Sequence, residues 1–292
     1  MVIIDSELTI HQNLKKPLDT MIYNLKNGWD FVIMITGTGL TRVGKSTLAQ
    51  QIGAYVSRRL DRSFSVDNMV FGGKQMIDLA HRLPHNSVII DDESREDLSS
   101  KSQMEFQNKS LMNFFNECGM YNHLIILVAT DFFDFNRSIA LTRSELLINC
   151  VRSSRETKDA DGNPVLSLGR GDYDIYDRNG KRILYVTGKK NFNQYDYKYC
   201  FGSGTFNSRW LIDKTEYERR KLEFLRRDRE KTIERKTMKV IYNVVKNLKK
   251  EKISNNKISE IIGVDEKTIR NYIKTYTEMD NKIIDSPENE II

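Results

Sequence analysis

The sequence is poor in cysteine. Cys118, Cys150 and Cys200 stand apart, odd in number and without a C-x-x-C pair, which argues against a disulfide framework or a zinc site. Long hydrophobic runs are also missing: Phe31 to Ile35 and Leu124 to Ala129 are the longest, of strand length and far below the roughly 20 residues that span a bilayer. The opening residues, Met-Val-Ile-Ile-Asp-Ser-Glu, carry no basic region ahead of an apolar core, so they do not read as a signal peptide. These gaps fit a cytoplasmic, reducing setting.

What is present suffices for a globular protein. With 292 residues, 39% of them apolar, the chain can form one large or two modest domains. The net charge of +6 is unevenly spread: Lys214 to Lys252 holds 15 basic and 7 acidic residues, a balance of +8, leaving −2 for the remainder. A polyanionic partner is expected at that segment.

The strongest motif is Gly39-Leu-Thr-Arg-Val-Gly44-Lys45-Ser46-Thr47. It fits G-x-x-x-x-G-K-[ST], follows the apolar run Phe31 to Ile35 and opens an amphipathic pattern, the strand, loop and helix of a P-loop. Backbone N–H groups of Gly39, Thr41, Arg42, Val43, Gly44, Lys45, Ser46 and Thr47 are expected to line the phosphates of ATP, aided by the helix N-terminus. Lys45 should reach the β- and γ-phosphates, and the Ser46 hydroxyl should ligate Mg²⁺. Gly37 reads equally as the start of a sharp loop or as a strand-end glycine.

From Phe31 to about Cys150 short apolar runs alternate with helical periodicity, predicting a mainly parallel sheet flanked by helices. Strands are expected at 31–36, at 64–71 as a weak and interrupted one, at 87–91, 124–129 and 145–151, and helices at 45–59, 74–82 and 103–119. A further helix, Pro17 to Asn27, precedes them. Ser87-Val-Ile-Ile-Asp91-Asp92-Glu93 runs apolar residues into carboxylates. Asp92, with Asp91 as competitor, is the candidate to hold Mg²⁺ through its water shell, and Glu93 to polarise the attacking water. Thr130, at the end of the next strand, is placed to sense the γ-phosphate.

Together these motifs resemble the P-loop ATPases with an additional catalytic-glutamate strand. That resemblance covers about 31–152 and implies that Leu124 to Ala129 lies between the P-loop strand and the Asp-Glu strand. The segment Phe114 to Asp134 is similar to zonula occludens toxin-like and FtsK/HerA-type DNA-pumping ATPases. Two departures stand out: Asp131 occupies a position where those pumps often carry glutamine, and the membrane segment of many toxin-like members is missing. Membership would imply a homo-oligomer, a ring in the usual arrangement, with an arginine completing the neighbouring subunit's site. Arg137, Arg143 and Arg152 fall in the right stretch; Arg143 is the one carried forward.

Beyond the core, Asp159-Ala-Asp-Gly-Asn-Pro164 reads as an exposed turn. Tyr173 to Arg178, Asn179-Gly180 and Lys181 to Val186 predict a β-hairpin insertion with a type I′ turn. Tyr195, Tyr197 and Tyr199 suggest one face of a strand, with base stacking as the alternative. Lys214 to Arg235 reads as an exposed charged helix. Met238 to Leu248, a helix from Ser254 to Ile262, a turn at Gly263 and a helix capped by Asp265 follow the helix-turn-helix plan. Lys267, Thr268, Arg270, Asn271 and Lys274 would face DNA, duplex rather than single-stranded; a trihelical protein-interaction module is the alternative.

The expected organisation is an extension at 1–30, a P-loop ATPase core at 31–155, a β-rich extension at 156–212, a connector helix at 213–235, an all-α DNA-binding domain at 236–277 and an acidic, disordered tail at 278–292. The expected function is a Mg²⁺-dependent ATPase that moves, packages or remodels DNA, for a phage or mobile element. A nucleotide-switched DNA-binding regulator and a small-molecule kinase are the alternatives.

Overall fold

The computed structural model describes residues 2–5, 8–92, 105–271 and 273–274. They form two compact units, Met1–Arg219 and Arg220–Ile292. The first is a mixed α/β unit around one seven-stranded sheet. Before it, β1 (Val2–Asp5) and β2 (Leu8–Ile10) pair antiparallel, and α1 (Gln12–Lys26) starts earlier than predicted, with Pro17 inside it. The His11 ring accepts from the Asn13 N–H at 3.3 Å and caps this helix.

The main sheet follows from runs of apolar residues buried on both faces, as in parallel strands covered by helices. Its strands are β3 (Phe31–Thr36), β4 (Met69–Val70), β5 (Val88–Asp92), β6 (Leu124–Val128), β7 (Leu146–Lys158), β8 (Pro164–Tyr176) and β9 (Gly202–Thr205), in the order β4-β5-β6-β3-β7-β8-β9. β6 lies between β3 and β5 and is parallel to both. β7 continues the parallel set beside β3, whereas β8 and β9 are antiparallel additions.

Helix α2 (Lys45–Arg59) crosses one face, contacting β5, β6 and β3. Val32, Met34, Ile89, Ile125, Leu127 and Leu147 point to the other face. There they join Met76 of α3 (Gly73–Ala80), Leu111 and Phe115 of α4 (Glu105–Glu117) and Leu184 of α5 (Arg178–Lys190). Strand alternation thus divides one apolar sequence between two helix layers.

Two expectations are corrected and one is made precise. The interrupted strand expected at 64–71 is a 3-10 turn, Val66–Asn68, followed by the two-residue β4. Ser65 and Asn68 form a capping box there, and that local hydrogen bonding competes with a strand. The predicted hairpin across Asn179-Gly180 is instead helix α5. Asp177 accepts from the Gly180 N–H at 2.7 Å, starting a helix where a type I′ turn was expected, and a Cβ on Gly180 would lie 2.2 Å from the Tyr199 carbonyl. Gly180 therefore serves close packing. The sheet's hairpin is β7 and β8, joined at the predicted turn around Asp159–Asn163. Tyr197–Tyr199 form a 3-10 turn rather than a strand.

The expected boundary at 155/156 falls inside β7. The expected connector and the first helix of the C-terminal domain are one continuous helix, α6 (Lys214–Lys250). In the second unit, α7 (Asn255–Ile262) is capped by Ser254, Gly263 takes φ 76°, and residues 266–271 are helical. Val245, Ile258 and Ile269 form its core. Among the described residues no helix is long and apolar enough to cross a membrane. The predicted tail, 278–292, lies outside the described residues.

Candidate nucleotide-binding site

The P-loop hangs between the C-terminal end of β3 and the first turn of α2. Thr38, Gly39, Arg42 and Gly44 take φ of 51°, 74°, 59° and 97°, so the chain winds through left-handed conformations; the Gly39 N–H, expected to line the phosphates, donates to the Thr130 carbonyl instead. A Cβ on Gly37 would lie 2.6 Å from Val43 Cγ2, which makes glycine there a packing requirement. Val43 is buried, and Thr41 and Arg42 are exposed.

Strands on either side fix the loop. The Thr130 carbonyl, just past β6, accepts from the N–H groups of Gly37 at 3.2 Å and Gly39 at 3.0 Å. From β7, the buried Asn149 Oδ1 accepts from the Thr38 N–H and the Thr36 hydroxyl, both at 3.2 Å. Lys45 Nζ donates to the Leu40 carbonyl at 2.8 Å, within the loop that it is expected to share with phosphate.

The carboxylate predicted for the metal comes from β5. The Ser46 hydroxyl lies 3.0 Å from each carboxylate oxygen of Asp92, and the Tyr217 hydroxyl also donates to Asp92. The neighbouring Asp91 points elsewhere, accepting from the Gly72 N–H at 2.7 Å. Adjacent strand residues project to opposite faces, and only Asp92 reaches the P-loop helix. One hydroxyl and one carboxylate suit Mg²⁺, which keeps several waters and takes few protein ligands. Glu93 lies outside the described residues.

Thr130 adjoins the loop, so Lys45, Ser46, Asp92 and Thr130 are brought together. Arg143 is not. It pairs with Asp30, and its guanidinium also contacts Cys118. Asp30 precedes β3, at the end of that strand remote from the P-loop, about 20 Å away for six residues of strand.

Several residues escaped sequence reasoning. Asp131, the departure from glutamine, accepts from the Phe133 N–H at 3.1 Å and from the Tyr195 hydroxyl at 2.9 Å. Burial pushes its pKa up, and burial likewise drives the Tyr195 phenol well up. The Tyr195 oxygen also accepts from the Phe132 N–H at 2.7 Å. Tyr195 is therefore a brace at the chain just past β6, tied to Asp131, Phe132 and Thr36. Phe206 sits over Gly44, where a Cβ would lie 2.7 Å from its ring. Only the isolated placement of these aromatics among polar residues hinted at such roles.

In the second unit, Lys267, Arg270, Asn271 and Lys274 are exposed, spaced at i, i+3, i+4 and i+7 on one helix face. Ile269 is fully buried on the opposite side. Thr268 differs from the rest: its N–H and hydroxyl both serve the Asp265 cap, at 2.9 and 2.5 Å. Arg270 pairs with Glu266 at 2.7 Å.

No family model matches the sequence, nor does any curated protein. Some solved structures are distantly similar to this chain. The genome-packaging NTPase B204 of Sulfolobus turreted icosahedral virus 2, in complex with AMPPCP, is 13% identical over 53% of this chain and 95% of its own, with a TM-score of 0.34. Aeropyrum pernix ORC2 is 18% identical over 48% of this chain and 44% of its own, with a TM-score of 0.33. A point variant of Thermotoga maritima RuvB is 14% identical over 89% of this chain and 85% of its own, with a TM-score of 0.34.

Proposed function

We propose that this chain is a Mg²⁺-dependent ATPase that binds DNA and uses hydrolysis to translocate, package or remodel it. The observation that carries the reading is the meeting of Ser46, in the helix after the P-loop, with Asp92 of β5 at 3.0 Å, in a sheet whose β6 is inserted between β3 and β5. A glycine-rich turn without function has no need of a buried carboxylate at its first helical hydroxyl. Ser46 and Asp92 are the residues that would hold Mg²⁺, which supplies charge neutralisation at the β- and γ-phosphates.

Each residue of the site has a task in this reading. The loop N–H groups orient the phosphates. Lys45 exchanges the Leu40 carbonyl for phosphate oxygens, Thr130 presents its hydroxyl to the γ-phosphate, and Glu93 accepts the proton of the attacking water. The DNA partner follows from the +8 segment and from the exposed stripe of Lys267, Arg270, Asn271 and Lys274, which suits phosphates flanking a major groove. A homo-oligomer with an arginine acting in trans completes the proposal; the Asp30 partnership of Arg143 favours Arg137 or Arg152 for that task.

The test is ATP hydrolysis by the wild type and Lys45→Ala, each with and without duplex DNA. The motor reading expects several-fold stimulation by DNA and an inert variant. Hydrolysis that ignores DNA, in a protein that binds both ligands, supports the nucleotide-switched regulator instead.

A further inference from the structure

The stretch after β9 returns across the P-loop helix before α6 begins. Gln51 Nε2 donates to the carbonyls of Asn207 and Arg209 at 3.0 and 2.8 Å. Gln50 holds the Arg209 carbonyl at 3.0 Å and the Leu211 N–H at 2.9 Å. Both glutamines are buried, and their amide nitrogens donate to this strap; a buried N–H left unmet would be costly. Phe206 closes on Gly44 at one end of the strap. At the other, Asp213 caps α6 through the Glu216 N–H at 3.0 Å.

Tyr217 follows in the first turn of α6. It is 5% exposed, its ring 4.9 Å from Trp210 and 5.7 Å from Phe71, centroid to centroid. Its hydroxyl donates to Asp92. Asp92 therefore already accepts from protein donors, Ser46 and Tyr217 among them. Water in the shell of Mg²⁺ would need an acceptor position on the same carboxylate, whose capacity is limited.

Resting on the ATPase reading above, we propose that the Tyr217 hydroxyl is a placeholder: it occupies Asp92 before Mg²⁺ and nucleotide arrive and yields to a metal-bound water when they bind. The exchange leaves the hydrogen-bond count at Asp92 unchanged, since one O–H donor replaces another. Tyr217 packs at a tilt against Trp210 and lies one turn into α6, so the exchange moves the start of the helix that runs to Lys250. Tyr217 thus acts on the site through Asp92, as a positioning residue, and makes metal occupancy legible to α6.

The test uses the full chain with Trp29→Phe, which leaves Trp210 as the single tryptophan. ADP is titrated with Mg²⁺ or with EDTA, following Trp210 emission and affinity by calorimetry. Mg·ADP should change the emission and ADP in EDTA should not. Tyr217→Phe keeps the ring packing and should bind Mg·ADP about tenfold more tightly, as expected for removing one competing hydrogen bond to a charged group, with affinity for metal-free ADP unchanged. An equal or weaker Mg·ADP affinity in that variant, or an emission change that is the same in EDTA, overturns the placeholder. Failure of the wild type to bind ADP under either condition overturns the ATPase reading, and this inference with it. Normal binding without the Tyr217 effect removes the inference alone.

Discussion

Phe206 and Gly44 should be energetically coupled, and a double-mutant cycle measures by how much. Gly44 has φ 97°, and a Cβ there would lie 2.7 and 2.9 Å from Phe206 Cζ and Cε2. Gly44→Ala therefore meets two costs: a left-handed backbone, about 1–2 kcal/mol, and overpacking against a ring, about 1–3 kcal/mol. The sum, about 2–5 kcal/mol, corresponds to a fall in Tm of roughly 4–20 °C for a unit of this size. Phe206→Ala alone loses a half-buried ring, about 1–2 kcal/mol. In the double variant the steric part disappears while the backbone cost stays, so the combined loss should be smaller than the sum by about 1–3 kcal/mol. Urea unfolding followed by near-UV dichroism provides the four free energies without reference to activity. Additivity within about 0.5 kcal/mol would refute the contact between the strap and the P-loop.

Other outcomes follow from particular contacts. Arg143→Ala should leave ATP turnover within a few-fold and lower Tm, because Asp30 loses its partner; a loss of about 10³-fold or more would mark Arg143 as acting on a neighbour's phosphate. Lys181 is fully buried against Ser144, and burial pushes its pKa down to about 7. The depressed folded-state value means that protonation opposes folding below about pH 7 and that stability recovers as pH rises toward the unfolded value near 10.5. Lys181→Met should thus flatten a rise of at most about 1.4 kcal/mol per pH unit over that window, read from Tm against pH; an unchanged slope would refute the burial. Ile258→Ala should cost about 2–5 kcal/mol in a cluster whose fully buried members are Val245, Ile258 and Ile269. Hydrogen exchange at 255–271 should then accelerate while exchange in β3 stays slow; a uniform response across the chain would contradict two separate units.

Local chemistry decided what could be foreseen from sequence. A P-loop needs a strand, a tight glycine turn and a helix in immediate succession, so Phe31 to Arg59 was legible residue by residue. The run into Asp91-Asp92 was equally clear, with Asp92 preferred and Asp91 its competitor; the pleat of β5 points the two to opposite faces. The insertion of β6 between β3 and β5 came from resemblance, because strand order is a long-range property that no window of sequence contains. The error at 173–186 has an instructive cause. Asn179-Gly180 matched a turn signature, yet Lys181, Leu184, Tyr185 and Gly188 are buried at i, i+3, i+4 and i+7, a helical period already present in the sequence. Asn149, Tyr195 and Tyr217 were out of reach for another reason: the Tyr217–Asp92 bond joins residues 125 positions apart, and only the folded sheet brings them together.

The tie between Thr130 and the P-loop is made by a carbonyl oxygen, a group that every amino acid carries. Substitution at 130 therefore leaves that acceptor in place, whatever the side chain. A saturation scan would sort the twenty residues there by hydroxyl chemistry alone: tolerance of alanine and valine would show that the position merely closes a strand, whereas acceptance of serine and threonine only would mean that selection at this site acts on a single oxygen atom.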